Sequence, residues 1–179
     1  MPTLSCTVNG QAQRLDVPDD MLLVDLLRGP LKLTGTHVGC DTSQCGACVV
    51  HVDGLSVKAC AMLAAEVDGA DVLTIEGVSA PGEPLHPVQA AFKANHGLQC
   101  GFCTPGMVMA TLSLLANDPD PSDEAIKQGL KGNLCRCTGY RSIMAAVREA
   151  GEAMRPDPTG KVDKAGMADH ANNASQGQA

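Results

Sequence analysis

Nine cysteines stand among 179 residues, and eight of them fall into two sets of four, one in each half of the chain. The first set is Cys40-x4-Cys45-x2-Cys48, with Cys60 after eleven intervening residues; the second is Cys100-x2-Cys103, with Cys135-x-Cys137 after thirty-one. A fold that must gather four thiols twice has little freedom in the segments carrying them. The opening Met1-Pro-Thr-Leu-Ser-Cys-Thr-Val lacks the positive start and apolar stretch of a secretory signal, and no run approaches the ~20 apolar residues of a membrane span. The reading is a cytoplasmic chain without a membrane span. In a reducing compartment the thiols point to metal ligation or catalysis rather than to a disulfide framework.

Composition removes other classes. A net charge of -7 with no basic cluster suits no phosphate backbone, and with no Trp, one Tyr and two Phe there is no stacking platform for bases, so no nucleic-acid partner is expected. No Gly-x-Gly-x-x-Gly or Walker-type run occurs and no Ser/His/Asp set stands out, which places nucleotide and substrate sites on other chains and leaves no catalytic residue here.

The periodicity changes along the chain. Residues 1–78 read as strand-rich: Leu4 to Gly10 alternates and ends in an Asn9-Gly10 turn, Arg14 to Val17 returns, and further strands are expected over 47–52, 55–59 and 72–75. Between them, Leu22, Leu23, Leu26 and Leu27 share one face of a short helix, with Asp19 or Asp20 as cap and Gly29-Pro30 as stop. The Pro/Gly-rich stretch 79–86 reads as a linker, and from 87 the period becomes helical. Helices are expected at 87–96, 105–117 (Thr104 as N-cap, Pro105 first in the helix), 122–130 (Ser122 as cap) and 140–154, making 87–155 a helical domain. Residues 156–179 have no apolar periodicity and read as a disordered tail. The fold class is α+β.

Each cysteine set has a spacing met in iron-sulfur proteins. The first follows the plant-type 2Fe-2S ferredoxin pattern, with Gly39 and Gly46 letting backbone N–H groups approach sulfur. In the second, Cys100 and Cys103 precede a helix start, where the dipole favours thiolate, while Cys135 and Cys137 in an extended stretch would face the same way. Four-cysteine zinc is the alternative, weak for the first set and more serious for the second taken alone. A Rieske centre would need a second His partner, so His51 is read as a solvent-facing strand residue. Cys6 is read as a small buried hydrophobe rather than a reactive thiol.

Taken together, Gly39-Cys-Asp-Thr-Ser-Gln-Cys-Gly-Ala-Cys, Gln99-Cys-Gly-Phe-Cys-Thr-Pro-Gly-Met and Gly132-Asn-Leu-Cys-Arg-Cys-Thr-Gly-Tyr resemble the iron-sulfur subunit of the molybdenum hydroxylases, the xanthine oxidase family, over about residues 3–154. Asp41-Thr42-Ser43 looks most like the small subunit of aerobic carbon monoxide dehydrogenase, a pattern that dehydrogenases of N-heterocycles and aldehydes share. The resemblance implies a β-grasp ferredoxin domain holding one 2Fe-2S cluster through Cys40, Cys45, Cys48 and Cys60, and a four-helix domain holding a second through Cys100, Cys103, Cys135 and Cys137. It implies partners too: a large molybdenum-pterin subunit and a medium FAD subunit, in a dimer of heterotrimers. Gln99 and Cys137 would then lie against the pterin. The implied role is electron transfer from molybdenum through both clusters to FAD. Outside the family, a two-site zinc scaffold and a free-standing two-cluster ferredoxin remain as alternatives.

Overall fold

A computed structural model describes residues 2–80 and 82–155; the tail reading for 156–179 lies outside these residues. The first strand, β1 (Thr3–Val8), buries Leu4, Cys6 and Val8 and exposes Thr3 and Ser5, as a period of two requires. The Asn9-Gly10 turn, with both residues at positive φ, returns the chain antiparallel as β2 (Gln11–Asp16). The helix α1 (Leu23–Arg28) crosses the sheet, then β3 (Val49–Val52), β4 (Leu55–Lys58) and β5 (Asp71–Leu73) complete it in the order β2-β1-β5-β3-β4. Only β1 and β5 are parallel; the remaining pairs are antiparallel. Leu23, Leu26 and Leu27 from α1 pack with Val17, Val50, Val67 and Val72 into one core, which also takes in Cys6. Burial raises the Cys6 thiol, with a further push from Asp68, as befits a core hydrophobe.

Four helices follow: α2 (Pro87–Ala94), α3 (Thr104–Asn117), α4 (Asp123–Gly129) and α5 (Arg141–Met154). They enclose a second core of Val88, Phe92, Met107, Ile126, Ile143 and Val147 among others. Ser122 caps α4 by accepting from Ala125 N–H at 3.2 Å, as expected. His86 caps α2: its ring accepts from Val88 N–H while Gln89 accepts from His86 N–H. Two expected caps differ. Neither Asp19 nor Asp20 caps α1, whose flanking residue is Leu22; there the Leu23 N–H donates to the Met62 carbonyl at 2.8 Å, so tertiary pairing satisfies the helix start. Thr104 is already inside α3, and Cys103 flanks it.

His51 corrects the sequence reading. The whole of β3 is buried: Val50 and Val52 join the first core, while α3 packs on the strand's other face. His51 is 8% exposed, and its Nε2–H donates to the Met109 carbonyl of α3 at 2.8 Å. Burial lowers its pKa below the ordinary 6.5, partly offset by that carbonyl. Below 6.5 the unfolded chain therefore binds the proton before the folded one does, and stability falls as pH falls toward the lowered pKa. Thermal midpoints at about pH 7.5 and about pH 5.5 should differ less in His51→Gln than in the parent. The difference should not vanish, since burial also lowers His86.

Candidate metal centres

The hairpin of β3 and β4 pairs Val49 with Lys58, so the residues just beyond that pair, Cys48 and Cys60, are brought together. The loop before β3 curls until the Cys45 N–H points at Cys40 Sγ, 3.4 Å away. Hydrogen bonds from Cys45, then the Thr42 and Gln44 amides, lower the Cys40 thiol from 9.0 to about 6. Cys48 goes the other way: burial pushes it up to about 11, and Cys60 and Cys45 add to the push. The first set is thus two contacting pairs, Cys40 with Cys45 and Cys48 with Cys60.

The second set pairs across its two motifs. Cys103 flanks α3 and Cys100 lies in the turn before it, while Cys135 and Cys137 sit between α4 and α5. Cys100 and Cys137 sulfurs are 3.5 Å apart, and Cys103 is the neighbour of Cys135. The 135–137 segment is bent rather than extended, so its two sulfurs serve different pairs instead of one face. Burial pushes Cys103 up to about 12, with Cys135 and Cys100 adding. For Cys135 burial also raises, but the Thr138 hydroxyl and amide and the Cys137 amide outweigh it and leave the thiol lowered.

Two pairs of thiols per set are what two bridged irons require, two thiolates to each iron. The donor chemistry therefore fits a 2Fe-2S cluster in each set.

The two loops touch. Leu134 N–H donates to the Cys45 carbonyl at 2.8 Å, and the side chain of Asn133, 5% exposed, donates to the Gly46 carbonyl at 2.9 Å. Gly46 has φ +70, and a Cβ there would overlap the Gly132 carbonyl oxygen. His37 Nδ1–H donates to the Phe102 carbonyl at 2.8 Å with the two rings stacked at 4.6 Å, tying the approach to Cys40 to the Cys100–Cys103 turn. Tyr140, at φ +68, accepts from Cys135 N–H at 2.8 Å and donates to the Asn133 carbonyl at 3.2 Å. Lys58 donates to the Ser43 carbonyl at 2.8 Å. None of Asn133, Tyr140, Lys58 or the His37–Phe102 pair carries a metal-ligand signature; only the positions of Asn133 and Tyr140 beside Cys135 and Cys137 hinted at them. Gln99, Cys100 and Cys137 are exposed, whereas Cys48 is buried.

Comparison with known proteins supplies the family. Residues 6–74 match the 2Fe-2S iron-sulfur cluster binding domain and residues 74–148 the [2Fe-2S] binding domain. The gamma subunit of caffeine dehydrogenase from Pseudomonas sp. (strain CBB1) is 46% identical over 148 residues, 81% of this chain and 88% of that one. The small subunit of nicotine 6-hydroxylase from Paenarthrobacter nicotinovorans is 46% identical over 80% of this chain and 86% of that one. Quinoline 2-oxidoreductase from Pseudomonas putida 86 superimposes with TM-score 0.81 at 41% identity, over 85% of this chain and 94% of that chain. Aldehyde oxidoreductase from Desulfovibrio gigas does so with TM-score 0.81 at 45% identity, over 86% of this chain but 17% of that longer one. With both 2Fe-2S domains present and separate small subunits matching over four fifths of this chain and more than four fifths of their own length, the chain belongs to the small iron-sulfur, electron-transfer subunits of the molybdenum hydroxylases.

Proposed function

We propose that the chain is the electron relay of a complex with a large molybdenum-pterin subunit and a medium FAD subunit, two copies of each. The observation that carries the reading is the pair of four-thiol sites, one beside each core, joined by the Leu134 N–H to Cys45 carbonyl hydrogen bond. Cys40, Cys45, Cys48 and Cys60 hold one cluster; Cys100, Cys103, Cys135 and Cys137 hold the other. Each 2Fe-2S cluster supplies a one-electron carrier, so that two electrons taken from substrate at molybdenum pass singly through the 100/103/135/137 site, then the 40/45/48/60 site, to FAD. The two separate cores support a division of the chain at 79–86.

Exposure supports the direction. Gln99, Cys100 and Cys137 are exposed, which supports placing the second site, with Gln99 and Cys137, against the pterin. From Cys135 the backbone reaches the Cys45 carbonyl through one residue and one hydrogen bond, a continuous route between the sites. The substrate pocket lies on the large subunit. Asp41-Thr42-Ser43 favours carbon monoxide, whereas the caffeine, nicotine and nicotinate enzymes named among the relatives favour an aromatic N-heterocycle; the heterocycle is the better-supported choice.

Purification through a tag on this chain from its native cells tests the assembly. Molybdenum, FAD and iron in one species, at about four irons per copy of the chain, is the expected result. An iron-bearing chain that elutes alone would instead mark a free-standing ferredoxin.

A further inference from the structure

Lys58 is the last residue of β4 and stands opposite Val49, with Cys48 and Cys60 just beyond the pair. Its half-buried side chain reaches across to the loop between Cys40 and Cys45, donating to the Ser43 carbonyl at 2.8 Å and to the Gln44 carbonyl at 3.5 Å. Ser43, held at φ +54, in turn accepts from Cys60 Sγ at 3.5 Å. The ammonium is therefore hydrogen-bonded to the Cys40–Cys45 ligand loop, while toward the second set it approaches Gly132, where a Cβ would lie 3.9 Å from Nζ. The other cation in this region, Arg28, is turned to the Thr34 and Thr36 carbonyls before the loop, and Asp41, beside Cys40, is exposed. Near the second set the neighbouring cation is Arg136, which is exposed and makes no ion pair among the described residues.

We propose that Lys58 tunes the first cluster: its fixed positive charge raises that cluster's reduction potential and makes it the electron-accepting end of the relay. The inference rests on the cluster assignment above. Reduction adds one negative charge to the cluster, with the electron arriving from the second site, whose cluster is oxidised by the same amount. A cation held against the ligand loop stabilises the reduced form more than the oxidised one. A half-buried ammonium is screened less than an exposed one, so Lys58 acts more strongly than Arg136. Its hydrogen bonds to two successive carbonyls fix the distance over which it acts, and no proton need move.

The test separates charge from clamp in the intact complex. Lys58→Arg keeps the charge, Lys58→Gln keeps a donor to the carbonyl without charge, and Lys58→Met keeps neither. Iron content is measured first, because four irons per chain retained means that the cluster assignment stands independently of this proposal. Potentiometric titration followed by electron paramagnetic resonance then reads each cluster separately. In Lys58→Gln the electron-sharing equilibrium between the two clusters should move about tenfold toward the second, about 59 mV for a one-electron couple. Lys58→Met should move it at least as far, and Lys58→Arg should restore most of the parent value. A first-cluster potential unchanged in Lys58→Gln would overturn the proposal, and so would one that falls equally in Lys58→Arg. Should Lys58→Met lose the first cluster, the Gln and Arg variants decide.

Discussion

Replacing Cys103 with Ser is expected to cut the iron of the complex from about four atoms per chain to about two and to stop multiple turnover with an external acceptor. Cys103 neighbours Cys135 and sits at the start of α3, so its loss breaks one of the two thiol pairs of the second set. Cys45→Ser should do the same to the first set, where Cys45 pairs with Cys40. Because the sets belong to different cores, each variant should keep the resonance signal of the other cluster. In the proposed serial relay, either loss should block acceptor turnover, and the double variant should be no slower than the single ones. Acceptor turnover that survives with a cluster confirmed missing would break the serial order.

The second large effect is expected at the seam between the domains. Gly106 in α3 packs directly on the Gly46–Ala47 backbone, and a Cβ there would overlap the Gly46 carbonyl oxygen. That oxygen belongs to backbone already held by Asn133, so it cannot swing aside as a flexible side chain would. Gly106→Ala should therefore push α3 off the first ligand loop, at a cost of about 1–3 kcal/mol or more. The thermal midpoint should fall and iron should be released faster to a chelator. Gly132→Ala is the control, since a Cβ there meets nothing closer than Lys58 Nζ at 3.9 Å. Equal stability of the two variants would mean that the seam yields without consequence.

The sequence was most legible where a property is local. The alternation of β1, the Asn9-Gly10 turn and the Ser122 cap each depend on a few neighbouring residues, and all three are found as read. The eight cysteines were legible because their spacing is itself chemistry. What stayed hidden depends on partners distant in the chain. His51 alternates correctly within β3, yet a strand's own pattern does not reveal that α3, arriving more than fifty residues later, covers its second face. The start of α1 went to the wrong residues because Met62 supplies the acceptor that Asp19 or Asp20 would have mimicked. The sequence reads Cys135 and Cys137 as an extended pair, whereas the segment is bent and its sulfurs meet Cys103 and Cys100. Asn133 and Lys58 are ordinary polar residues in sequence. They acquire a role only because the fold places them between the two ligand loops.

The assignment of two 2Fe-2S clusters to this chain is open to a direct measurement: iron and zinc content of the purified complex, with resonance spectra of the reduced form. Two spectroscopically distinct 2Fe-2S signals, with about four irons and no stoichiometric zinc per chain, is the expected result. Zinc at one or two atoms per chain, or a single signal from fully reduced protein, would contradict it.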